Sequence, residues 1–467
     1  MPSSSLTNPR YRSAAEEPFL SQHKKDHRLR SVGPRLTRGR VFLIAIVLSS
    51  IVWLLLVFQP STPLKSNKID PASITSVEPT LLDYGEGNQK WTWKLPANLG
   101  GLLRPQVYGE MCRAAHRASD SAAGHGRHAH HGYYWVDQHF LNPRVEDAAF
   151  SRGVCKRSLT YMLDSPDPGL GSMLLGLWSA YGLAVRENRT FFVDDSNWSW
   201  GTYATYFLPR KPTCRPPPPN LVLPCPHQVP HLLVAHSTTS ATFGHAFTDF
   251  FEDARKMRVQ RQHKIFALAR SGYEALFRLR LSAADEEAVE LRKKQLEEET
   301  SGNEKILAMQ IRRGDGKDKA FEWRETGHVP VSHYANLISS AAATAGGNAT
   351  ILLSSDDPEI YSLPEFANYI PAQSLPPSPS TRSLLPGGWT RQAFENARAS
   401  GGDVVVDLAR EYFRDVKILG ETTEELFCGG NGNTCRVLAV VMGWQKAVEE
   451  EGWVNVDDDR GWFGVDW

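Results

Sequence analysis

A cluster of basic and small residues, RRGDGK at positions 312–317, follows a short apolar run at Lys305–Ile311. The apolar run predicts a buried strand, so the cluster would begin at the carboxyl end of that strand. The guanidinium groups of Arg312 and Arg313 can bind phosphate oxygens bidentately, and the glycines let the backbone approach a ligand closely. The cluster therefore indicates a diphosphate site, although a basic surface turn would have the same composition.

A pair of carboxylates follows a second predicted strand, Thr350–Ser354, in the segment SSDDP. Asp356 and Asp357 could accept hydrogen bonds from the hydroxyl groups of a nucleoside, but Ser-Asp-Asp-Pro is also a common start of a helix. A third carboxylate, Asp407, lies near the end of the apolar run Val404–Leu408, which we also predict as a strand.

The fourth candidate is the turn CGGNGNTC at Cys428–Cys435, directly before a predicted helix at Thr434–Val448. The first backbone N–H groups of a helix have no intrahelical partner and lie at the positive end of the helix dipole. Glycines and amide side chains at that position, here Gly432 and Asn433, are typical of an anion site.

These four segments require a scaffold in which strands alternate with helices. The sequence predicts an apolar helix at Gly169–Tyr181, a short strand at Arg189–Asp194 and amphipathic helices between Phe247 and Glu299. A helix at Pro330–Ala343 then separates the strands that precede Arg312 and Asp356. Such alternation is typical of parallel, doubly wound sheets, in which ligands bind beyond the carboxyl ends of the strands.

The order of these segments resembles the α1,6-fucosyltransferase family and its relatives, the GDP-fucose O-fucosyltransferases. The similar stretches are QIRRGDGK, SSDDPEI, GDVVVDLAREYF and NTCRVLAVVMGW, and upstream of them GLGSMLLGLWSAYGLAVRENRTFFVDDSNWSWG. The tail VNVDDDRGWFG is also similar to the closing segment of the family. The likeness runs in order from about Cys155 to the C-terminus.

The resemblance implies a GT-B-like architecture of two α/β lobes with parallel doubly wound sheets, and transfer of fucose from GDP-fucose, with inversion and without a metal or other cofactor. Arg312 would contact the β-phosphate and stabilise the departing GDP, and Glu325 or Glu322 would be the general base. The remaining positions carried over as donor-binding residues are Gly169, Gly171, Gln310, Arg313, Asp315, Lys317, Asp356, Asp357, Asp407, Gly432 and Asn433.

This sequence departs from the family pattern at several of these positions. Gln310 stands where the family has histidine, and Gly316 separates Asp315 from Lys317. Two alternatives to fucosyl transfer follow. The same fold could use a different nucleotide sugar, or the chain could be a non-catalytic Golgi protein that binds glycans or serves as a scaffold.

The N-terminal region predicts a membrane anchor. Residues 1–40 form a basic, polar tail, and Val41–Phe58 is an uncharged apolar run long enough to span about 27 Å as a helix. Positive charge before this run predicts a cytosolic N-terminus and a lumenal remainder, as in a single-pass type II Golgi membrane protein. We assign residues 59–105 to a stem, 106–300 to an N-terminal lobe and 301–467 to a C-terminal lobe that binds the nucleotide sugar.

The cysteines and glycosylation sequons agree with a lumenal location. All six cysteines and three Asn-X-Ser/Thr sequons, at Asn188, Asn197 and Asn348, follow the apolar run. Cys214 with Cys225 and Cys428 with Cys435 are the expected local disulfides, and buried free thiols are the alternative. The equal numbers of basic and acidic residues, 52 of each, give no indication of a nucleic-acid partner. The expected partners are a nucleotide sugar, a glycan or glycoprotein acceptor, and a membrane.

Overall fold

A computed structural model of the chain describes residues 49, 68–83, 89–122, 140–141, 153–164, 169–243, 259–280, 283–299, 305–313, 329–346, 349–371, 398–399, 402–457, 461–462 and 464. The chain divides into residues 1–66 and a compact unit at Asn67–Trp467. All elements described below belong to the second unit.

Eleven strands and nine α-helices are present in the described residues of this unit. The strands are β1 (Thr80–Asp83), β2 (Gln89–Thr92), β3 (Phe140–Leu141), β4 (Ser158–Met162), β5 (Thr190–Asp194), β6 (His231–Ala235), β7 (Lys305–Ile311), β8 (Ala349–Ser355), β9 (Ile370–Pro371), β10 (Glu425–Cys428) and β11 (Trp453–Asn455). The helices are α1 (Pro105–Ala122), α2 (Leu170–Arg186), α3 (Tyr203–Tyr206), α4 (Thr239–Phe243), α5 (Val259–Leu276), α6 (Ala283–Glu299), α7 (Val331–Thr344), α8 (Gly402–Thr422) and α9 (Asn433–Met442).

Two separate parallel sheets confirm the predicted α/β class. The first has the order β5-β4-β6 and the second the order β11-β10-β7-β8-β9, and every pairing in both is parallel. In each sheet the chain starts at an inner strand, builds outward on one side, and then returns to build on the other side. The direction in which strands are added to the sheet therefore reverses between β4 and β6 in the first sheet and between β7 and β10 in the second. At such switch points the loops diverge and leave a crevice beyond the carboxyl ends of the strands.

The predicted strand at Val404–Leu408 is wrong, because these residues lie in the first two turns of α8. The side chains of Val405, Leu408 and Ala409 are buried, whereas Asp407 is exposed. This spacing of three and four residues continues to Phe413 and Val416 and is that of a helix. Three consecutive valines at Val404–Val406 favour a strand and concealed the helical period.

The predicted helix at Thr434–Val448 is divided at Gly443. Helix α9 ends at Met442, and Gly443 has φ of +95°, a conformation that glycine adopts without steric cost. A π-helical turn at Gln445–Glu449 follows.

One of the two expected disulfides is present and the other is wrong. Cys428 is bonded to Cys435, as predicted, whereas Cys214 is bonded to Cys155 and not to Cys225. The chain segments around Cys155 and Cys214 run side by side, with the Cys155 amide donating to the carbonyl of Arg215 at 3.0 Å. The two cysteines are 59 residues apart in the sequence, so a prediction that pairs neighbouring cysteines could not find this bond.

The part of the chain assigned to a stem, residues 59–105, includes folded structure. Strands β1 and β2 pair in antiparallel fashion, and β2 pairs with β3 in a small sheet. Trp93 and Leu103 are fully buried in the core, so this segment packs against the unit from at least residue 93. Apart from Ser49, the apolar run Val41–Phe58 lies outside the described residues. Among the helices that are described, none has the length and apolar composition required to cross a membrane.

Helix α2 is held in position by close packing against α5. A Cβ atom on Gly272 of α5 would lie 2.3 Å from the backbone of Trp178 in α2, so only glycine permits this approach. Helix α5 also caps α9, because Arg270 donates to the carbonyls of Val440 and Val441 at 2.8 and 2.6 Å. A cation at the carboxyl end of a helix satisfies free carbonyls and opposes the helix dipole. One helix therefore positions both α2 and α9.

The amino-terminal edge of the first sheet contains a buried ionic network. The Arg189 guanidinium donates to Glu187 at 2.6 Å and to the backbone carbonyls of Val229 and Pro230. Burial would raise the pKa of Glu187, but hydrogen bonds and charge from His227 and Arg189 lower it to about 2.

We expect His231 to make the stability of the protein depend on pH. Its Nδ1 lies 3.0 Å from the hydroxyl of Ser158, and burial, followed by the charge of Arg189, lowers its pKa to about 4. Because the folded-state pKa lies below the unfolded value, this stability is present above pH 6.5 and is lost as pH falls towards 4. Protonation of His231 should therefore lower the free energy of unfolding by about 2 kcal/mol between pH 7.5 and pH 5.

The measurement is denaturant unfolding at both pH values for the wild type and His231→Gln. The difference in free energy of unfolding between the two pH values should be smaller in His231→Gln than in the wild type. It should be unchanged in the control His263→Gln, which alters an exposed histidine. An unchanged pH dependence in His231→Gln would contradict the prediction.

Candidate functional site

Arg312 lies directly after β7, at the switch point of the second sheet. The backbone there is held firmly, because the N–H of Arg313 donates to Asp356 Oδ1 at 2.7 Å and the hydroxyl of Ser355 donates to the carbonyl of Ile311 at 2.9 Å. The ends of β7 and β8 are thereby tied together. The Arg312 side chain is exposed at this edge. Asp356 thus fixes the backbone at Arg313, next to Arg312.

The loop from β10 to α9 forms the other wall of the crevice. Two of its amides, those of Gly430 and Asn431, donate to Asn455 Oδ1 and Asp457 Oδ2 at 2.7 and 2.8 Å. A Cβ on Gly430 would lie 2.6 Å from the Asn455 side chain, which explains the glycine. The Cys428–Cys435 disulfide closes the loop covalently.

Arg436, which is fully buried in α9, supports the loop from below. It donates to the carbonyls of Asn431 and Gly464. The Trp462 indole N–H donates to the Arg436 carbonyl at 3.0 Å, so the C-terminal segment takes part in fixing the loop. The loop is therefore preorganised around the first turn of α9.

The amino-terminal ends of α2 and α9 meet at this crevice. A Cβ on Gly171 would lie 2.8 Å from the backbone nitrogen of Thr434 and 2.9 Å from the carbonyl carbon of Asn433. The side-chain Nδ2 of Asn433 donates to the hydroxyl of Ser172, which joins the first turns of α2 and α9. The N-caps are Gly169 and Gly432, neither of which offers a side-chain cap. Two helix amino termini thus converge, and each carries partial positive charge.

Arg312 adds a full positive charge to the same place. A Cβ on Gly432 would lie 3.8 Å from Arg312 Cδ and 4.0 Å from its Nη1, so the side chain passes close to the start of α9. The partial positive charges of the two helix amino termini and the guanidinium all attract an anion. The arrangement can therefore bind a phosphate or diphosphate group.

Tyr412 is the α8 residue that reaches this site. Its hydroxyl lies 3.2 Å from Thr434 Oγ1, and burial raises its pKa to about 12 although the Thr434 hydrogen bond and the Arg312 charge lower it. The side chain is therefore a neutral hydrogen-bonding group at physiological pH. Asp407, one of the predicted donor-binding residues, is instead exposed on α8 and lies 3.5 Å from Arg410.

The remaining predicted residues have varied positions. Gln310 is buried in β7 opposite Cys428 and Ser354 of the neighbouring strands. Asp357 caps a short 3-10 helix by accepting from the amide of Glu359 at 2.9 Å. The structure thus brings Gly169, Gly171, Arg312, Gly432 and Asn433 together. Four predicted residues, Asp315, Lys317, Glu322 and Glu325, lie outside the described residues.

A second polar edge lies at the switch point of the first sheet. Asp164 follows β4, His236 follows β6, and the His236 amide donates to Asp164 Oδ1 at 3.4 Å. Burial raises the pKa of Asp164, although the electrostatic interaction with His236 and hydrogen bonds from the backbone amides of His236 and Ser237 oppose this. Helix α2 begins six residues after Asp164. The carboxylate therefore precedes the helix whose first turn contacts Asn433 and Thr434.

Sequence reasoning missed Asp164, His236, Tyr412, Arg436, Asn455 and Asp457. Strands β4 (SLTYM) and β6 (HLLVA) are short apolar runs bounded by Ser158 and His231, and they could have indicated the polar residues after them. Tyr412 could not be found in this way, because it depends on the orientation of α8. Asn455 and Asp457 act through a loop that precedes them by 25 and 26 residues.

The chain was also compared with known proteins. No family model and no curated protein sequence matches it. Among solved structures, it is similar to NodZ α-1,6-fucosyltransferase soaked with GDP-fucose, with 12% identity, a TM-score of 0.30 and coverage of 61% of this chain and 93% of the other. A structure of fucosyltransferase NodZ from Bradyrhizobium has 11% identity, a TM-score of 0.33 and coverage of 60% and 91%. A mutant of Arabidopsis thaliana FUT1 in complex with GDP has 11% identity, a TM-score of 0.32 and coverage of 71% and 76%.

Proposed function

We propose that the chain is a glycosyltransferase that moves fucose from GDP-fucose to a hydroxyl group of a glycan or glycoprotein, with inversion and without a metal. The observation that supports this most directly is the convergence of the α2 and α9 amino termini with Arg312 at the β7/β10 switch point. Such a site is suited to the diphosphate of a nucleotide sugar. The motif order that resembles the fucosyltransferases supports GDP-fucose as the donor.

The proposed mechanism assigns the cationic groups to the leaving group. As the bond from the sugar carbon to the phosphate oxygen breaks, negative charge develops on the β-phosphate. Arg312 and the backbone amides in the first turns of α2 and α9 would stabilise that charge, as a metal ion does in other transferases. Because these donors are held by the backbone contacts described above, they need little reorganisation during the reaction.

The acceptor hydroxyl must lose a proton as it attacks the sugar carbon. Of the described carboxylates, we propose Asp164 for this role, since burial raises its pKa and it lies at the edge of the first sheet from which α2 begins. A carboxylate whose pKa is raised is a stronger base than an ordinary aspartate. Glu322 and Glu325 are the alternatives from the sequence.

We expect Asp164→Asn to lower kcat by about 100-fold or more while leaving donor binding unchanged. The matched control is Asp195→Asn, since Asp195 also follows a strand of the first sheet but accepts a hydrogen bond from the Tyr203 amide, which an asparagine oxygen can replace. Initial rates and donor-induced stabilisation would be measured for both variants. Full turnover in Asp164→Asn would assign the base elsewhere, with Glu322 and Glu325 next to be replaced.

We also propose a single-pass type II arrangement in the Golgi membrane, with Val41–Phe58 as the anchor. Disulfides at Cys155–Cys214 and Cys428–Cys435 favour an oxidising compartment. Asn188 and Asn197 are exposed, as glycosylated asparagines must be. Treatment of the protein with a peptide N-glycosidase after expression in a eukaryotic host should reduce its mass, and no change would count against lumenal placement.

The donor can be tested by thermal unfolding of the full chain in detergent with GDP, UDP, CMP and their sugars. A ligand at 100 times its Kd adds about 2.7 kcal/mol to the free energy of unfolding. Selective stabilisation by GDP and GDP-fucose is expected. Stabilisation by another nucleotide would favour a different donor sugar. If the folded protein responds to no nucleotide but binds glycans, the enzymatic proposal fails and a glycan-binding protein remains.

A further inference from the structure

Two buried cysteines of the described chain face each other without being part of the disulfides above. Cys112 lies on α1, and Cys225 lies in the loop that precedes β6. Both are enclosed in the core, with 4% and 3% of their surface exposed. Their sulfur atoms are 2.7 Å apart.

This separation is too short for two thiols that merely touch. Nonbonded carbon atoms keep about 3.5–4.0 Å, and sulfur is larger than carbon. A disulfide brings the two sulfurs to about 2.0 Å. Small adjustments of the two side chains therefore suffice to form the bond, whereas two reduced thiols would have to move apart within a packed core.

The backbones on both sides are fixed, so the sulfurs cannot easily separate. The Trp93 indole N–H donates to the Cys225 carbonyl at 2.7 Å. Helix α1 is held at its start by the hydroxyl of Ser237, which donates to the Pro105 carbonyl at 2.7 Å. A Cβ on Gly109, one turn before Cys112, would lie 3.0 Å from the Ser237 side chain, so α1 packs tightly on the segment after β6.

The chemistry of the surroundings favours a disulfide over a metal site. No cluster of three or more possible metal ligands occurs among the described residues. The other four of the six cysteines are already paired with one another. A compartment that oxidises those pairs would also oxidise a third pair in contact.

We propose that Cys112 and Cys225 form a third disulfide, so that all six cysteines of the mature protein are paired. The oxidant is a disulfide of a thiol–disulfide oxidoreductase. The thiolate of one cysteine attacks this disulfide, forms a mixed disulfide and releases one thiol of the oxidoreductase. The second cysteine then displaces the other thiol, so two electrons and two protons pass to the oxidoreductase as its dithiol.

The proposed bond would close a loop between residues 113 positions apart, the longest of the three. It would tie α1, and with it the segment around Trp93, to the loop that leads into β6. Restriction of so long a loop in the unfolded chain stabilises the folded state. Loss of the bond should lower the melting temperature by roughly 3–5 °C.

The test counts thiols in the full chain, purified without reductant from a secretory host. The protein is denatured in guanidinium chloride with N-ethylmaleimide and its intact mass is measured. We expect no adduct before reduction and six after it, and a proteolytic digest should contain a cross-linked pair of peptides with Cys112 and Cys225. Two adducts that map to these cysteines, or either cysteine linked to a different partner, would overturn the proposal.

Two variants give an independent check. Cys112→Ser should leave one thiol, at Cys225, and therefore one adduct. Cys112→Ser with Cys225→Ser should give none and should retain the other two disulfides. If Cys112→Ser gives no adduct in monomeric protein, Cys225 pairs with another cysteine and the proposed pairing is wrong. These readouts do not depend on donor binding or turnover, so the proposal can fail while the proposed function stands.

Discussion

Replacement of Arg312 by alanine should lower kcat by about 100- to 1,000-fold, which is the effect of removing a preorganised group that stabilises transition-state charge. Arg312 lies close to Gly432 at the start of α9, where the leaving phosphate is proposed to bind. Because its side chain is exposed, the free energy of unfolding without ligand should change by only about 0.5 kcal/mol. Stabilisation by GDP should be lost together with turnover.

Two further variants make the comparison specific. Arg312→Lys keeps the charge but loses the fork of N–H donors, so it should recover only part of the activity. Arg113→Ala removes an exposed arginine that pairs with Glu110 at 2.8 Å on α1, and it should behave as wild type. Normal turnover and normal GDP stabilisation in Arg312→Ala would remove the main support for the proposed function.

Replacement of Gly171 by alanine should weaken donor binding by about tenfold or more, which corresponds to about 1.4 kcal/mol. The added methyl group would lie 2.8 and 2.9 Å from backbone atoms of Thr434 and Asn433. Backbone atoms cannot rotate away as a flexible side chain can, so the two helix ends must separate. That separation spreads the amides that are proposed to bind the diphosphate, and such overpacking also costs about 1–3 kcal/mol of stability.

Gly169→Ala is the matched control for this variant. It adds the same methyl group two residues earlier, where no atom lies within 4 Å. The Kd for GDP should therefore change little, and isothermal titration calorimetry of both variants would measure the difference. A Kd for GDP in Gly171→Ala equal to that of the wild type and of Gly169→Ala would show that the junction of α2 and α9 does not bind the donor.

The sequence by itself predicted those strands and helices whose pattern of apolar and polar residues is contained in one short segment. Lys305–Ile311 is a strand as predicted, and the helix predicted at Pro330–Ala343 is α7 at Val331–Thr344. The rule that ligands bind beyond parallel strands then selected Arg312, and the glycine-rich turn before a helix selected Gly432 and Asn433. These residues do lie together, because the rule depends only on strand direction and connection.

A short segment predicted the wrong element where the periodicity of burial extends beyond that segment. Val404–Leu408 fits a strand in isolation, but burial at Val405, Leu408 and Ala409 follows the period of a helix. Asp407 was selected for the end of a strand that does not exist. The α8 side chain that reaches the site, Tyr412, differs from Asp407 by about one and a half turns and therefore projects in another direction.

The tertiary structure alone decided which distant groups meet. Cys155 pairs with Cys214 and Cys112 faces Cys225 because remote segments run side by side in the core. Gly171 and Thr434 are 263 positions apart, and their approach depends on how α5 packs against α2 and caps α9. Local sequence encodes strand ends and helix starts through short-range backbone preferences. Their convergence into one positively charged crevice results from side-chain packing between elements, which no short segment of the sequence contains.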